Sequence, residues 1–163
     1  MQRLDVQIRP ARESDAEIIF HGLKLIAGHL AMDHKVTTTV DDIKRHGFGP
    51  QPAFAALIAE VDGEFAGLCL YFDSYSSWRG RRGAYIQDLV VDPRFRGLGV
   101  GELLLCNTIA HVSAKGGHYI RLSVDAANLQ AHRFYEKMGM EWCSDERIYA
   151  LRDDAFATAA LRG

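Results

Sequence analysis

The chain has 163 residues, 48% of them hydrophobic and 25% charged, with 21 acidic side chains against 19 basic ones and a formal net charge of −2. That length predicts a single domain, residues 1–163, around one well-filled core, and the near-neutral balance argues against nucleic-acid or membrane-surface binding as the main activity. No apolar run approaches the roughly 18 residues that a membrane span requires, and the opening MQRLDVQIRP is too polar for a secretory leader, so a cytoplasmic protein is expected.

In chain order, Val6 and Ile8 alternate with polar residues and predict a short strand before Pro10. Ser14 stands three residues before Glu17, a capping-box spacing, and Ile19, Leu23, Ile26 and Leu30 follow at helical intervals. Thr39 with Asp42 marks a second, shorter helix that ends near Gly47 and Gly49. FAALIAEV and EFAGLCLYF read as two strands joined at Asp62-Gly63, a hairpin turn whose positions tolerate positive φ. A polar loop, DSYSSWRGRRG, leads to a central strand, AYIQDLVV, stopped by Asp92-Pro93. GELLLCNTIAHVSA predicts an amphipathic helix ending at Gly116-Gly117. HYIRLSV follows as a strand, NLQAHRFYEKMG as a capped helix, RIYALR as a late strand and DDAFATAAL as a terminal helix. Helices and strands thus alternate around a mixed sheet, an α/β (α+β sandwich) class. Cys69, Cys106 and Cys143 are odd in number and lie outside any CxxC or Cys/His cluster, and the histidines show no HExxH spacing, so neither a disulfide framework nor a metal is expected.

The densest motif is VVDPRFRGLGVGELLL, with Gly97, Gly99 and Gly101 at alternate positions where a strand gives way to a helix. Such glycines let backbone N–H groups converge at the positive end of the helix, where an anion is favoured. It is not a P-loop, because Glu102 stands where Lys would follow the last glycine. It is not a dinucleotide fingerprint either, because G-L-G-V-G replaces G-x-G-x-x-G and the next strand offers Tyr119 and Arg121 rather than an acid. What fits is R-x-x-G-x-G at Arg96, Gly99 and Gly101, followed by Asn128, Phe134-Tyr135 and Lys137-Met138-Gly139. With IRPARESDA, the Gly47 to Phe54 segment, Tyr75-x-x-Trp78-x-Gly80, YIQDLVV and IYALRDDAF, this set resembles the GNAT (GCN5-related N-acetyltransferase) superfamily in its diamine acetyltransferase-like branch, over nearly the whole chain.

The resemblance implies a GNAT fold and acetyl-CoA as cosubstrate, with no metal. It implies transfer of the acetyl group to the primary amine of a small molecule by direct attack in a ternary complex, and a homodimer. Backbone groups of Leu89, Val90 and Val91 would hold the pantetheine arm and the developing oxyanion. Arg96, Gly97, Leu98, Gly99, Val100, Gly101 and Glu102 would cradle the pyrophosphate, with Asn128 and Ala131 near the pantetheine. Tyr135 would give a proton to the leaving thiolate, a phenol being protonated at neutral pH; the plainer reading is an aromatic packed beside Phe134. Tyr75 and Trp78 would line the acceptor side, or simply cover the sheet edge.

The departures concern the acceptor. Polyamine-acting members carry a carboxylate where this chain has Gln87, and Leu30 and Ser76 occupy further positions that align loosely with acidic ones. Gln87 stays a candidate for the catalytic and acceptor positions, although an amide is no base. Asp88 is a second candidate for the acceptor site, expected on the opposite face from Gln87 by strand alternation. Asp33, Glu60 and Asp73 read as solvated surface acids, and Arg79, Arg81 and Arg82 as a solvated basic loop. An amino-acid or diamine-like acceptor is expected, with acetylation of a protein N-terminus or lysine and a non-catalytic acyl-CoA-binding module as the rival readings.

Overall fold

A computed structural model describes residues 5–163. They fall into two compact units that divide after Ser123, residues 5–123 and 124–163. In the first, five strands form one sheet in the order β1-β2-β3-β4-β5: β1 (Val6–Pro10), β2 (Ala55–Val61), β3 (Glu64–Ser76), β4 (Arg81–Val91) and β5 (Gly117–Leu122). The first four are antiparallel neighbours, and β5 joins β4 in parallel. That parallel step uses α3 (Val100–Ala114) as its crossover, whereas the β2–β3 hairpin turns on two residues, Asp62 at φ 52° and Gly63 at φ 79°.

The helices divide between the sheet faces because neighbouring strand residues point opposite ways. On one side α1 (Ala16–His29) and α2 (Val40–Phe48) bury Ile19 and Ile43 against Ile58, Leu68, Leu70 and Val90. On the other side lies α3, where Leu104 packs so close to Gly67 that an added Cβ there would meet it at 2.8 Å. Its buried residues, Val100, Leu104, Leu105, Thr108 and Val112, form one stripe at helical spacing, as expected of an amphipathic helix, while Leu103 and Ile109 stay exposed on the outer side.

Several expectations hold at the level of single bonds. The Asp42 amide donates to Thr39 Oγ1 at 3.1 Å and the Thr39 amide to Asp42 Oδ2 at 2.9 Å, a reciprocal cap on α2. The start of α1 is arranged differently. Ser14 and Glu17 do not cap it; instead the Asp15 carboxylate takes the Arg12 amide at 2.7 Å and the Arg9 guanidinium at 2.7 and 3.0 Å. Arg9 also reaches Glu60 at 2.8 Å, so Glu60 belongs to a partly buried ion network rather than to open surface. The segment read as a polar loop at residues 73–83 is mostly the two arms of the β3–β4 hairpin, paired out to Ser76 and Arg81. Their polar side chains reflect exposure, not irregular backbone.

In the second unit, α4 (Leu129–Lys137) and α5 (Asp153–Ala160) appear as expected. The RIYALR run, residues 147–152, forms no strand, and its own unit contains no other strand with which it could build a ladder.

Candidate active site

Two irregularities in β4 shape the centre of the first unit. The β4–β5 ladder ends at the Ile86–Leu122 pair, so from Gln87 onward the β4 edge facing away from β3 has no strand beside it. Backbone groups of residues 87–91 that point that way have no strand to bond, and the Tyr85 and Ser123 hydroxyls, 2.6 Å apart, lie next to the point where the ladder ends. By the parity of the ladder, in which the Asp92 amide bonds the Ala66 carbonyl, Leu89 and Val91 turn their backbone groups to this unpaired edge, whereas Val90, paired with Leu68, turns its own toward β3. The second irregularity is a β-bulge. Leu70 lies opposite Asp88 but Tyr71 lies opposite Ile86, so Gln87 is an extra residue with no partner on β3.

The bulge overturns the alternation argument for Asp88. Directly paired residues share a face, so Asp88 lies with Leu70, and Tyr85 lies with Phe72, whose ring stacks on it at 5.2 Å. Leu70 and Phe72 alternate onto one face, which places Tyr85 and Asp88 together although they are three apart. Counted from Tyr85, Gln87 falls on that same face. Gln87 and Asp88 are therefore not on opposite sides of the sheet.

Beyond β4, Asp92 accepts the Arg94 amide at 2.9 Å and caps a short turn over Pro93–Phe95, which ends the strand and redirects the chain. Arg96 is tied back by its Nε to the Val91 carbonyl at 3.2 Å. Gly97 and Gly99 then take left-handed conformations, φ 74° and 82°, and Gly99 becomes the N-cap of α3 with its carbonyl accepting the Leu103 amide at 3.0 Å. The first turn of a helix has no internal acceptor for its N–H groups. Among the described residues the amides of residues 97–102 have no backbone or side-chain acceptor, and they cluster at the positive end of a 15-residue helix. Nothing lies within 4 Å of a Cβ built on Gly97 or Gly99, so the space over this cradle is open.

The other expected residues are distributed differently. Asn128, Ala131 and Tyr135 belong to the second unit, where Asn128 Oδ1 accepts the Ala131 amide at 3.2 Å and caps α4. Tyr135 packs edge-on against Phe134 at 5.1 Å. Tyr75 and Trp78 stand at the far end of the β3–β4 hairpin, 65% and 99% exposed, so Trp78 covers no sheet edge. Tyr75 is four strand residues from Tyr71, roughly 13 Å from the bulge, so the structure does not bring it beside Gln87. Arg79, Arg81 and Arg82 are exposed as expected, and Asp33 pairs with Lys24 at 3.5 Å.

The sheet with its opened parallel edge and the amide cradle at the following helix have recognisable relatives. The family model for the Acetyltransferase (GNAT) family matches residues 29–140. This chain belongs to the GNAT acetyltransferase family. A thialysine N-epsilon-acetyltransferase of Bos taurus is 31% identical to it, over 97% of this chain and 98% of the relative. An L-ornithine N5-acetyltransferase of Arabidopsis thaliana is 30% identical over 75% of this chain and 50% of its own. Among solved structures, an aminoglycoside acetyltransferase from an uncultured soil metagenomic sample, in complex with sisomicin, superposes with a TM-score of 0.75 over 90% of this chain and 97% of that one, at 19% identity. The protein is an acyltransferase enzyme, and the donor used by its family is acetyl-CoA.

The electrostatics of this GNAT enzyme set one carboxylate apart. Asp15, Asp42 and Asp92 all lie below the ordinary carboxylate range, held there chiefly by hydrogen bonds from Arg9, Thr39 and Arg94 respectively. Asp88 is partly buried, receives no hydrogen bond or ion pair among the described residues, and is pushed up to about 6 by burial alone. The spacing of YIQDLVV carries no signal for this, because the bulge that redirects Asp88 is created by pairing across the sheet. No group of three or more His, Cys, Asp or Glu side chains able to hold a metal occurs among the described residues, and no helix there is long and apolar enough to cross a membrane.

Proposed function

We propose that this enzyme acetylates the side-chain amine of a small amino acid. The observation that carries the donor half is the run of unpartnered amides at residues 97–102 on the first turn of α3. A pyrophosphate accepts such N–H groups, and the open space over Gly97 and Gly99 admits it. Backbone groups of Leu89 and Val91 would take the pantetheine and the developing oxyanion along the unpaired β4 edge, with Val90, bonded toward β3, holding the strand between them. Asn128 and Ala131 would approach the pantetheine arm, and Tyr135 would protonate the departing thiolate. Both units then serve one GNAT domain, which is supported by a family match that runs across residue 123.

The acceptor half rests on charge. Gln87 removes a carboxylate from the central strand, while Arg79, Arg81 and Arg82 add cations to the hairpin. A polyamine dication gains little there, but an acceptor carrying its own carboxylate is tolerated. Two relatives are named for side-chain amines of amino acids, Nε of thialysine and N5 of ornithine. Tyr75 and Trp78 would touch only an acceptor or partner surface that extends along the hairpin. A cytoplasmic homodimer is the proposed form, supported by the resemblance to the diamine acetyltransferase-like branch.

The test is a panel of ornithine, lysine, thialysine and spermidine with acetyl-CoA. Cys106 and Cys143 are exposed free thiols that would react with a thiol reagent, so the acetylated product is quantified by mass spectrometry. The reading expects a higher kcat/KM for the amino acids, and spermidine matching the best of them would overturn it.

A further inference from the structure

We infer that Asp88, rather than the residue at position 87, is the general base that takes the proton from the acceptor ammonium. The inference rests on the proposed acetyl transfer and adds the group that an amide at Gln87 cannot supply. Three observations converge. The bulge lifts Gln87 out of register and sets Asp88 on the same face as Tyr85, two residues past the last β4–β5 pair, on the stretch of β4 whose outer edge has no strand beside it. The carboxylate is partly buried yet has no hydrogen bond or ion pair, and no wholly buried polar side-chain atom among the described residues lacks a partner, so Asp88 keeps contact with solvent. Carboxylates that serve the fold look different here: Asp15, Asp42 and Asp92 are each bound by two or more donors. A carboxylate left without partners in a partly dry site is destabilising, and sites of that kind accumulate where chemistry needs them.

The surroundings leave Asp88 free to titrate. On β3 its titratable neighbours are Cys69, whose own thiol is pushed up to about 12 chiefly by burial, and Tyr71, also raised by burial. On β4 it shares a face with Tyr85, on β5 Arg121 pairs with Tyr85 in the ladder, and on α1 Lys24 is engaged by Asp33. No charge acts on Asp88 strongly enough to offset its burial. Its protonation midpoint thus falls near working pH, where a base is most effective.

In the proposed step one ammonium proton passes through water to the Asp88 carboxylate. The nitrogen lone pair forms the C–N bond, and the C–S bond breaks with its electron pair going to sulfur. Sulfur takes the Tyr135 proton, the second nitrogen proton restores the phenol through water, and Asp88 releases its proton to solvent.

The test compares wild type, Asp88→Asn, Gln87→Glu and the double variant, with acetyl-CoA and ornithine at saturation in single turnover. Asp88→Asn should lower the rate by about 10²–10⁴-fold with acetyl-CoA affinity unchanged by calorimetry. Its loss should shrink as pH rises toward the pKa of the amine, since free amine then needs no base, and Gln87→Glu should restore part of the rate. A purely structural role would not give that pH-dependent recovery. Asp88→Asn within threefold of wild type overturns the inference while leaving the acetyltransferase reading intact, and so does a loss that is constant with pH. Absence of product from wild type with every amine on the panel overturns both.

Discussion

If Asp88 is retained for chemistry at a cost in stability, removing its charge should stabilise the protein in a pH-dependent way. Burial raises its pKa from 3.8 to about 6. The folded state therefore binds the proton more tightly than the unfolded chain, and stability falls as pH rises from about 4 to about 6, then levels off. At about 1.4 kcal/mol per pKa unit, the ionised carboxylate lowers stability by about 3 kcal/mol at most above pH 7. Asn has nearly the shape of the protonated acid and no titration, so Asp88→Asn should differ little from wild type near pH 4. Its advantage should grow by about 1–1.5 kcal/mol between pH 5 and 7.5. Urea denaturation of both proteins at matched pH values measures this, with the pH dependence of the difference as the readout. Asp15, Asp42 and Asp92, whose pKa values are lowered, make stability fall with acid in both proteins and cancel from the comparison. A difference that is flat with pH, or a variant less stable than wild type at pH 7.5, would show that Asp88 has a stabilising partner and would refute the reasoning.

The remaining predictions address other parts of the molecule. Gly101→Val should weaken acetyl-CoA binding at least about tenfold, or 1.4 kcal/mol, by intruding on the amide cradle; unchanged affinity by calorimetry in a folded variant counts against the cradle. Gly99 is a poorer probe, because at φ 82° any side chain strains the backbone whether or not a ligand is bound. Tyr135→Phe should keep the edge-on packing with Phe134 but lower turnover by about 10²–10⁴-fold, and wild-type single-turnover rates would reduce Tyr135 to a packing residue. Asp15→Asn should cost about 1.5–3 kcal/mol, the range for hydrogen bonds to charged groups. It should also flatten the acid limb of stability, because the Asp15 contribution is present above its unfolded pKa and lost as pH falls through the depressed folded one; an unchanged urea midpoint contradicts this.

How much of this was legible in the sequence depends on whether the determining contact is local. The Thr39–Asp42 cap, the Asp62-Gly63 turn and the Asp92-Pro93 stop are set within four residues, and each forms where its spacing predicts. The amide cradle is local as well, since alternate glycines and a helix start create it together. Failures occur where a distant partner decides. Asp15 displaces the expected Ser14–Glu17 box because Arg9 on β1, itself bound to Glu60 of β2, reaches it. The RIYALR run has the alternation of a strand, but its own unit holds no second strand to pair with it. The arms of the β3–β4 hairpin look like loop because their side chains face water, although the backbone is fully paired.

The bulge at Gln87 belongs to the same class and has the largest consequence. Period-two alternation assumes that each residue of β4 meets one residue of β3, which holds from Arg81 to Ile86 and again from Asp88 to Val91. One unpartnered residue between those stretches moves every later side chain to the face that the sequence pattern denies it. The substitution of an amide at position 87 therefore looks like loss of the acid when the strand is read as regular. With the bulge included, a carboxylate remains on that face one residue later, beside the opened edge of the sheet. The charge that a polyamine would need at Gln87 and the base that any ammonium needs are thus separable in this enzyme. Gln87→Glu alone should accordingly shift acceptor preference toward diamines in competition assays, without a large gain in the single-turnover rate on ornithine. A gain comparable to the loss caused by Asp88→Asn would show that the two positions share one role.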